Sequence, residues 1–156
     1  MPTAPVLHPS ITVSPAQPGD FESLVALRIE AMKVSLEHVG RFDPARARER
    51  FRSSYSPDHT RHIEFNGARV GFFVVKPQAD ALLLDHLYIR PNAQNHGIGG
   101  AVLALVFEEA DSKALPVRVG ALRESKSNLF YFRHGFQLVE QAEFDNFYVR
   151  PSKNAL

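Results

Sequence analysis

Leu87-Tyr88-Ile89-Arg90-Pro91-Asn92-Ala93-Gln94-Asn95-His96-Gly97-Ile98-Gly99-Gly100 is the stretch on which the fold turns. An apolar strand runs into a proline-bearing loop, and the loop into a glycine-rich turn that opens an amphipathic helix. Pro91 stops the strand and pushes Arg90 into an extended conformation. Small residues let a ligand approach the backbone closely. The first N–H groups of a helix have no internal partners, and with the helix dipole they make a site for phosphate.

The kind of phosphate ligand is narrowed by what the glycines do not spell. A dinucleotide fingerprint, G-x-G-x-x-G, needs glycine where Val102 stands. A P-loop needs Gly-Lys-Ser/Thr, which is absent. Taken alone, the stretch leaves a glycine-rich helix start with no ligand equally open.

Elements on either side follow from periodicity. Downstream, Gly97 to about Ser112 is predicted as a helix with Ile98, Val102, Leu105 and Val106 on its apolar face. Pro116–Leu122 reads as a strand, Ser125–His134 as a short helix closed by Gly135, and 136–139 and 144–149 as final strands. Upstream, Leu82–Ile89 is an apolar strand. Before it, His62–Phe65 and Val70–Val75 flank Asn66-Gly67, a strong two-residue hairpin signal. At the N-terminal end, Ile11–Pro15 is a first strand and Asp20 a cap for the helix that follows, in which Leu24, Val25, Leu27, Ile29, Met32 and Leu36 recur at helical spacing. Gly40 ends that helix. Asp43-Pro44 opens a second helix, 45–53, rich in arginine: Arg46, Arg48, Arg50 and Arg52. The order β-α-α-β-β-β-α-β-α-β-β predicts an α+β domain, three layers α/β/α, with a mixed, mostly antiparallel sheet of six to seven strands flanked by about four helices.

Composition agrees with one domain, read as a leader at 1–10, a single domain at 11–150 and a tail at 151–156. The 156 residues are 44% hydrophobic and 22% charged, ordinary for a packed globular chain. Eighteen basic against seventeen acidic side chains leave a net charge of +1, no electrostatic case for nucleic acid or an anionic membrane. There is no cysteine, so disulfides, thiolate nucleophiles and cysteine-based metal sites are excluded. The N-terminal residues carry three prolines among the first ten and no apolar run, so neither a signal peptide nor a membrane segment is read there, and a cytoplasmic location is the default.

Two motifs in this order resemble the GNAT superfamily of N-acetyltransferases. Gln94-Asn95-His96-Gly97-Ile98-Gly99 is similar to that family's pyrophosphate loop, Gln/Arg-x-x-Gly-x-Gly/Ala. Asn128-Leu129-Phe130-Tyr131-Phe132-Arg133-His134-Gly135-Phe136 looks like its second motif, an aromatic-Tyr pair followed four residues later by Gly-Phe. They stand one helix plus one strand apart, as in the family, and the resemblance runs from Ile11 to Val149. Away from it, Tyr131 reads equally as a core aromatic whose hydroxyl finds a buried partner.

The resemblance implies a GNAT-like acyl-CoA acyltransferase fold with acetyl-CoA as co-substrate and no metal. In such proteins the strand matching Leu87, Tyr88 and Ile89 splays from the one matching Val117–Ala121, and the pantetheine arm lies along it as an extra strand would. Backbone N–H near Tyr88 or Ile89 would hold the developing oxyanion. The backbone of Gln94, Asn95, His96, Gly97, Ile98, Gly99 and Gly100 would take the pyrophosphate. The implied reaction is direct attack of an amine on the thioester, with much of the rate supplied by positioning. Tyr131 is the implied general acid for the leaving thiolate, with a reference pKa of ~10 against ~8.5 for a cysteine-like thiol.

Two departures from the family stand out. The glutamate that serves some members as base falls at Leu83. Asp85 and His86 lie nearby on opposite strand faces, and His86 has the better intrinsic pKa for a base. It reads equally as a half-buried strand histidine, and a base acting through water fits as well. The family asparagine that touches the cofactor arm falls at Glu124 or Ser125. Asn128 is close but out of register, and Ser125 and Asn128 are kept as weaker cofactor contacts.

The resemblance implies a primary amine of a small molecule or peptide as acceptor, with Met32, Arg41, Phe42, Tyr55 and Phe147 as candidate lining. The arginines from Arg46 to Arg52 would suit a carboxylate on it, although such a run is more often a solvated helix face. His59 and His62, without carboxylates beside them, read as surface histidines rather than a metal site. The exposed final strands would suit a homodimer. A non-catalytic acyl-CoA-binding module of the same fold is the alternative to an enzyme.

Overall fold

The computed structural model describes residues 10–38 and 40–153. Residues 1–9 of the leader and 154–156 of the tail fall outside them. Seven strands form one mixed sheet in the order β1-β2-β3-β4-β5-β7-β6, with four α-helices. The strands are β1 (Ile11–Pro15), β2 (Thr60–Phe65), β3 (Ala68–Pro77), β4 (Leu82–Ile89), β5 (Val117–Leu122), β6 (Gln137–Gln141) and β7 (Asp145–Arg150). The helices are α1 (Phe21–His38), α2 (Pro44–Ser54), α3 (Ile98–Ser112) and α4 (Ser127–Arg133). Every predicted element is present, with ends moved by a few residues.

The backbone contacts divide the chain into two compact units. One holds Ser10–Val74 and His86–Ile98; the other holds Val75–Asp85 and the chain from Gly99 onward.

In the first unit β1 pairs antiparallel with β2, and β2 with β3. Asn66 and Gly67 take φ of 51° and 82°, the two left-handed residues that a tight hairpin turn demands. Asp43 Oδ1 accepts from Arg46 N at 3.1 Å, and Pro44 occupies the first helical position, so α2 starts as its sequence predicts. Leu24, Val25 and Leu27 of α1 and Phe51 of α2 are buried with Phe72 and Val74 of β3 in one apolar cluster. Phe21 and Tyr55 pack against that cluster.

Asp20 departs from expectation. It ends a 3-10 turn (Pro18–Asp20), and its carboxylate accepts from the backbone N–H of Gln17 at 2.8 Å instead of capping α1. It also lies 2.8 Å from His62 Nε2. His62 is therefore no surface histidine: it is 2% exposed. A buried imidazole requires a hydrogen-bond partner, and Asp20 supplies it across 42 residues of sequence. The Gln17 N–H, then the His62 side chain, hold the Asp20 carboxyl below its ordinary pKa.

In the second unit β5 pairs antiparallel with β7, and β7 with β6. β4 enters it in parallel, with Leu82, Leu83 and Leu84 opposite Val117, Arg118 and Val119. β5 continues in register with β7 as far as Leu122, and β4 runs on to Ile89. Arg150 Nη1 and Nη2 clasp the two carboxylate oxygens of Asp111 on α3 at 2.6 and 3.2 Å. Ser152 Oγ and Lys153 N donate to the same carboxylate, tying the chain beyond β7 to that helix.

Candidate active site

The loop after β4 is built by the residues that its sequence singles out. Arg90 N donates to Val70 O at 2.7 Å, and Pro91–Ala93 form a 3-10 turn. Gln94 folds back, its Nε2 donating to Ile89 O at 2.9 Å. Its side chain thus braces the loop. Asn95 and Gly97 both take positive φ, 66° and 77°, two left-handed turns within three residues. Residues 94–97 are exposed, and α3 begins at Ile98. A Cβ on Gly97 would meet nothing within 4 Å, so this glycine serves the backbone turn and leaves the approach open. The His96 ring sits 5.8 Å from that of Phe65.

Gly100 has a packing reason to be small. A Cβ there would lie 3.1 Å from His134 Nε2, while His134 Nδ1 donates to Phe130 O at 2.8 Å. Ile98 is buried.

On β4 the side chains alternate as a strand requires. Asp85 pairs with Lys76 at 3.0 Å. His86 turns toward aromatic rings: Phe51 at 5.4 Å, Phe72 at 6.4 Å and Tyr88 at 5.5 Å. Its Nδ1 is 3.2 Å from the Tyr88 hydroxyl. His86 is thus half-buried among rings, and Tyr88 bears on its orientation. Leu87 and Ile89, also half-buried, alternate with them along the strand.

In the other unit Tyr131 is buried on α4, its ring edge-on to Phe136 at 5.2 Å with an interplanar angle of 69° and tilted on Tyr148 at 6.3 Å. Gly135, at φ 89°, turns the chain so that Phe136 N returns to Tyr131 O at 3.1 Å. Aromatic-Tyr and Gly-Phe are therefore one local structure, which explains their fixed spacing. Asn128 has its amide engaged within the protein. Its Nδ2 donates to Leu122 O and Ser125 O, each at 2.9 Å, and its Oδ1 accepts from Asn146 Nδ2 at 2.9 Å and Tyr148 Oη at 2.8 Å. A side chain amide has two N–H donors and two acceptor lone pairs, and all are used here. Ser125 is half-buried at the start of this turn.

The α2 arginines cover a surface. Arg48 pairs with Glu22 and Arg52 with Glu49, and their guanidinium groups lie 5.3 and 5.2 Å from the Phe21 ring. Tyr55 donates to Gln17 O at 2.8 Å, and its ring lies tilted beside that of Phe51 at 5.4 Å. Burial raises the Tyr55 pKa, helped by the Asp20 charge.

The sequence reading missed Arg28. It lies on the arc of α1 that carries Leu24 and Met32, four residues to either side, and that interruption was its signal. Nη1 donates to Ala47 O at 3.0 Å, the guanidinium lies 5.8 Å from the Tyr88 ring centre, and Nε is buried with no acceptor.

Comparison with known proteins agrees with this architecture. The model of the GNAT acetyltransferase domain matches residues 57–138, more than half of the chain. The chain belongs to the GNAT acetyltransferase family. No curated protein sequence matches it. Among solved structures it is similar to the PaiA N-acetyltransferase of Thermoplasma acidophilum in complex with coenzyme A, at 19% identity and TM-score 0.75, over 91% of this chain and 99% of that one. An acetyltransferase from Thermus thermophilus aligns at 19% identity and TM-score 0.67, over 94% and 99%. A GNAT family acetyltransferase from Elizabethkingia anophelis with acetyl-CoA bound aligns at 15% identity and TM-score 0.63, over 92% and 99%. These likenesses establish the shared fold. Among the described residues, no helix is long and apolar enough to cross a membrane, and no cluster of three or more histidine, aspartate or glutamate side chains is placed to hold a metal.

Proposed function

We propose that the protein transfers an acetyl group from acetyl-CoA to a primary amine by direct attack on the thioester. One observation carries the reading: the exposed turn Gln94–Gly97, with two left-handed residues, immediately before the first turn of α3. A backbone so turned, with open space at Gly97, suits a pyrophosphate that bonds to main-chain N–H groups.

The remaining roles follow the chemistry. The amine lone pair attacks the carbonyl carbon, the C–S bond breaks, and the amine loses a proton while the thiolate gains one. The main chain at Tyr88 and Ile89 is assigned to the oxyanion. Tyr131 is assigned to protonate the thiolate, and His86, oriented by the Tyr88 hydroxyl, to take the amine proton. Ser125 and Asn128 frame the end of β5, a supporting role in place of direct contact with the cofactor arm.

Calorimetry with acetyl-CoA tests the foundation, with Gly99→Glu as control. An anionic side chain there opposes the pyrophosphate both in bulk and in charge. Binding by wild type and not by the variant supports the loop assignment. Thiol release with a panel of amines then separates an enzyme from a module that only binds acyl-CoA. A wild type that does not bind removes the transferase reading.

A further inference from the structure

We propose that Arg90 is a positioning residue for the acyl donor: its side chain ties the start of the loop after β4 to β3 and α1, and so presets the turn that receives the pyrophosphate. Its role rests on the acetyl-CoA reading above, and the residue itself touches no ligand.

The sequence puts Arg90 at a junction. Ile89 before it ends β4, and Pro91 after it holds it extended, at φ −53° and ψ 143°. The residues assigned to the pyrophosphate begin four positions later, at Gln94. Three ties leave Arg90. Its N–H donates to Val70 O at 2.7 Å, its Nε donates to Arg69 O at 3.4 Å, and its Nη1 pairs with Glu30 of α1. One side chain thus joins the loop to a strand and a helix of the same compact unit.

These ties hold the approach to a costly turn. Ala93 N donates to Arg90 O at 2.9 Å, and Ala93 is buried. Gln94 Nε2 closes back on Ile89 O. Asn95 follows at φ 66°. A residue other than glycine costs free energy in the left-handed region and persists where its surroundings hold it. Arg90 and Gln94 fix the chain before Asn95, and buried Ile98 fixes it after Gly97. A loop held in shape before its ligand arrives loses less freedom on binding. The Arg90 and Glu30 side chains are 35% and 45% exposed, and an ion pair so placed adds little to global stability. The effect of Arg90 therefore falls on donor affinity rather than on the melting temperature.

Calorimetry with two donors tests this on wild type, Arg90→Met, Arg90→Lys and Glu30→Gln, with thermal melting alongside. Acetyl-CoA carries the pyrophosphate; S-acetylpantetheine, supplied at millimolar concentration, ends before it. Arg90→Met spares the backbone N–H that donates to Val70 O, so that main-chain tie to β3 is kept. Its Kd for acetyl-CoA should rise about tenfold, the worth of ordering a loop that wild type holds ready. Its Kd for S-acetylpantetheine and its melting temperature should match wild type. Arg90→Lys can pair with Glu30 but cannot also reach Arg69 O, so it should recover only part of the loss. Arg90→Met combined with Glu30→Gln should bind no worse than Arg90→Met alone, because the two side chains act as one tie. An Arg90→Met that binds acetyl-CoA as well as wild type overturns the role of Arg90 and leaves the acetyl-CoA reading standing. An equal loss for both donors, or a lowered melting temperature, also overturns it, since either marks a general structural role. A wild type that does not bind acetyl-CoA removes that reading and the role of Arg90 with it.

Discussion

Gly71 of β3 lies so close to Tyr88 of β4 that a Cβ on it would overlap the Tyr88 carbonyl oxygen. The Cα of Ile89 and Cδ1 of Ile63 are both 3.3 Å from that position, so the strand has nowhere to retreat. The backbone assigned to the thioester is therefore set by a glycine on the neighbouring strand.

Gly71→Ala is expected to cost about 1–3 kcal/mol of stability, the usual penalty for overpacking. It should also weaken acetyl-CoA binding, because the shift falls on Tyr88 and Ile89. Urea unfolding and calorimetry measure the two effects. A variant as stable as wild type would show that β3 moves aside freely.

Tyr131→Phe keeps the ring that packs on Phe136 and Tyr148 and removes only the hydroxyl. Turnover should fall about 100-fold, the lower range for loss of a general acid. The dissociation constant for acetyl-CoA should change little. Unchanged turnover removes Tyr131 from the chemistry and leaves it as a core residue.

His86→Gln should lower kcat by about 100-fold and abolish the acid limb of the pH–rate profile, if the imidazole takes the amine proton. Tyr88→Phe, which removes the hydroxyl near Nδ1, should shift that limb with a smaller loss. A profile identical to wild type in both variants points to water as the base.

Acid stability should depend on two carboxylates. The Arg150 guanidinium, above all, lowers the pKa of Asp111 from 3.8. The Gln17 N–H and the His62 side chain lower that of Asp20. A carboxyl depressed in the folded state stabilises above its unfolded pKa, and that contribution is lost as pH falls through the folded value. Stability should thus be level above about pH 5 and decline below about pH 4. Asp111→Asn, which leaves Arg150 without its partner, should cost about 3 kcal/mol at neutral pH and flatten the acid decline. Denaturant midpoints across pH would show it, and an acid slope parallel to wild type would contradict the account.

The sequence by itself determined what is local. Strand and helix periodicity, the Asn66-Gly67 hairpin, the Asp43-Pro44 helix start and the turn from Tyr131 to Phe136 all depend on residues within a few positions of one another. The same is true of the glycine-rich turn at residues 94–97, because the left-handed backbone at Asn95 and Gly97 is a local property of residues visible as letters. Tertiary structure decided the rest, through partners far apart in the chain. Asp20 looked like a helix cap until His62 and the Gln17 N–H claimed its carboxylate. Asn128 looked like a ligand contact until Leu122, Ser125, Asn146 and Tyr148 used its whole amide. The four arginines of α2 stand out in the sequence, yet among the described residues the buried side-chain donor left without an acceptor is Nε of Arg28, on an otherwise apolar arc of α1. Composition counts charges, but only packing decides which pairs are made, and a free donor is defined by the partners that folding fails to bring.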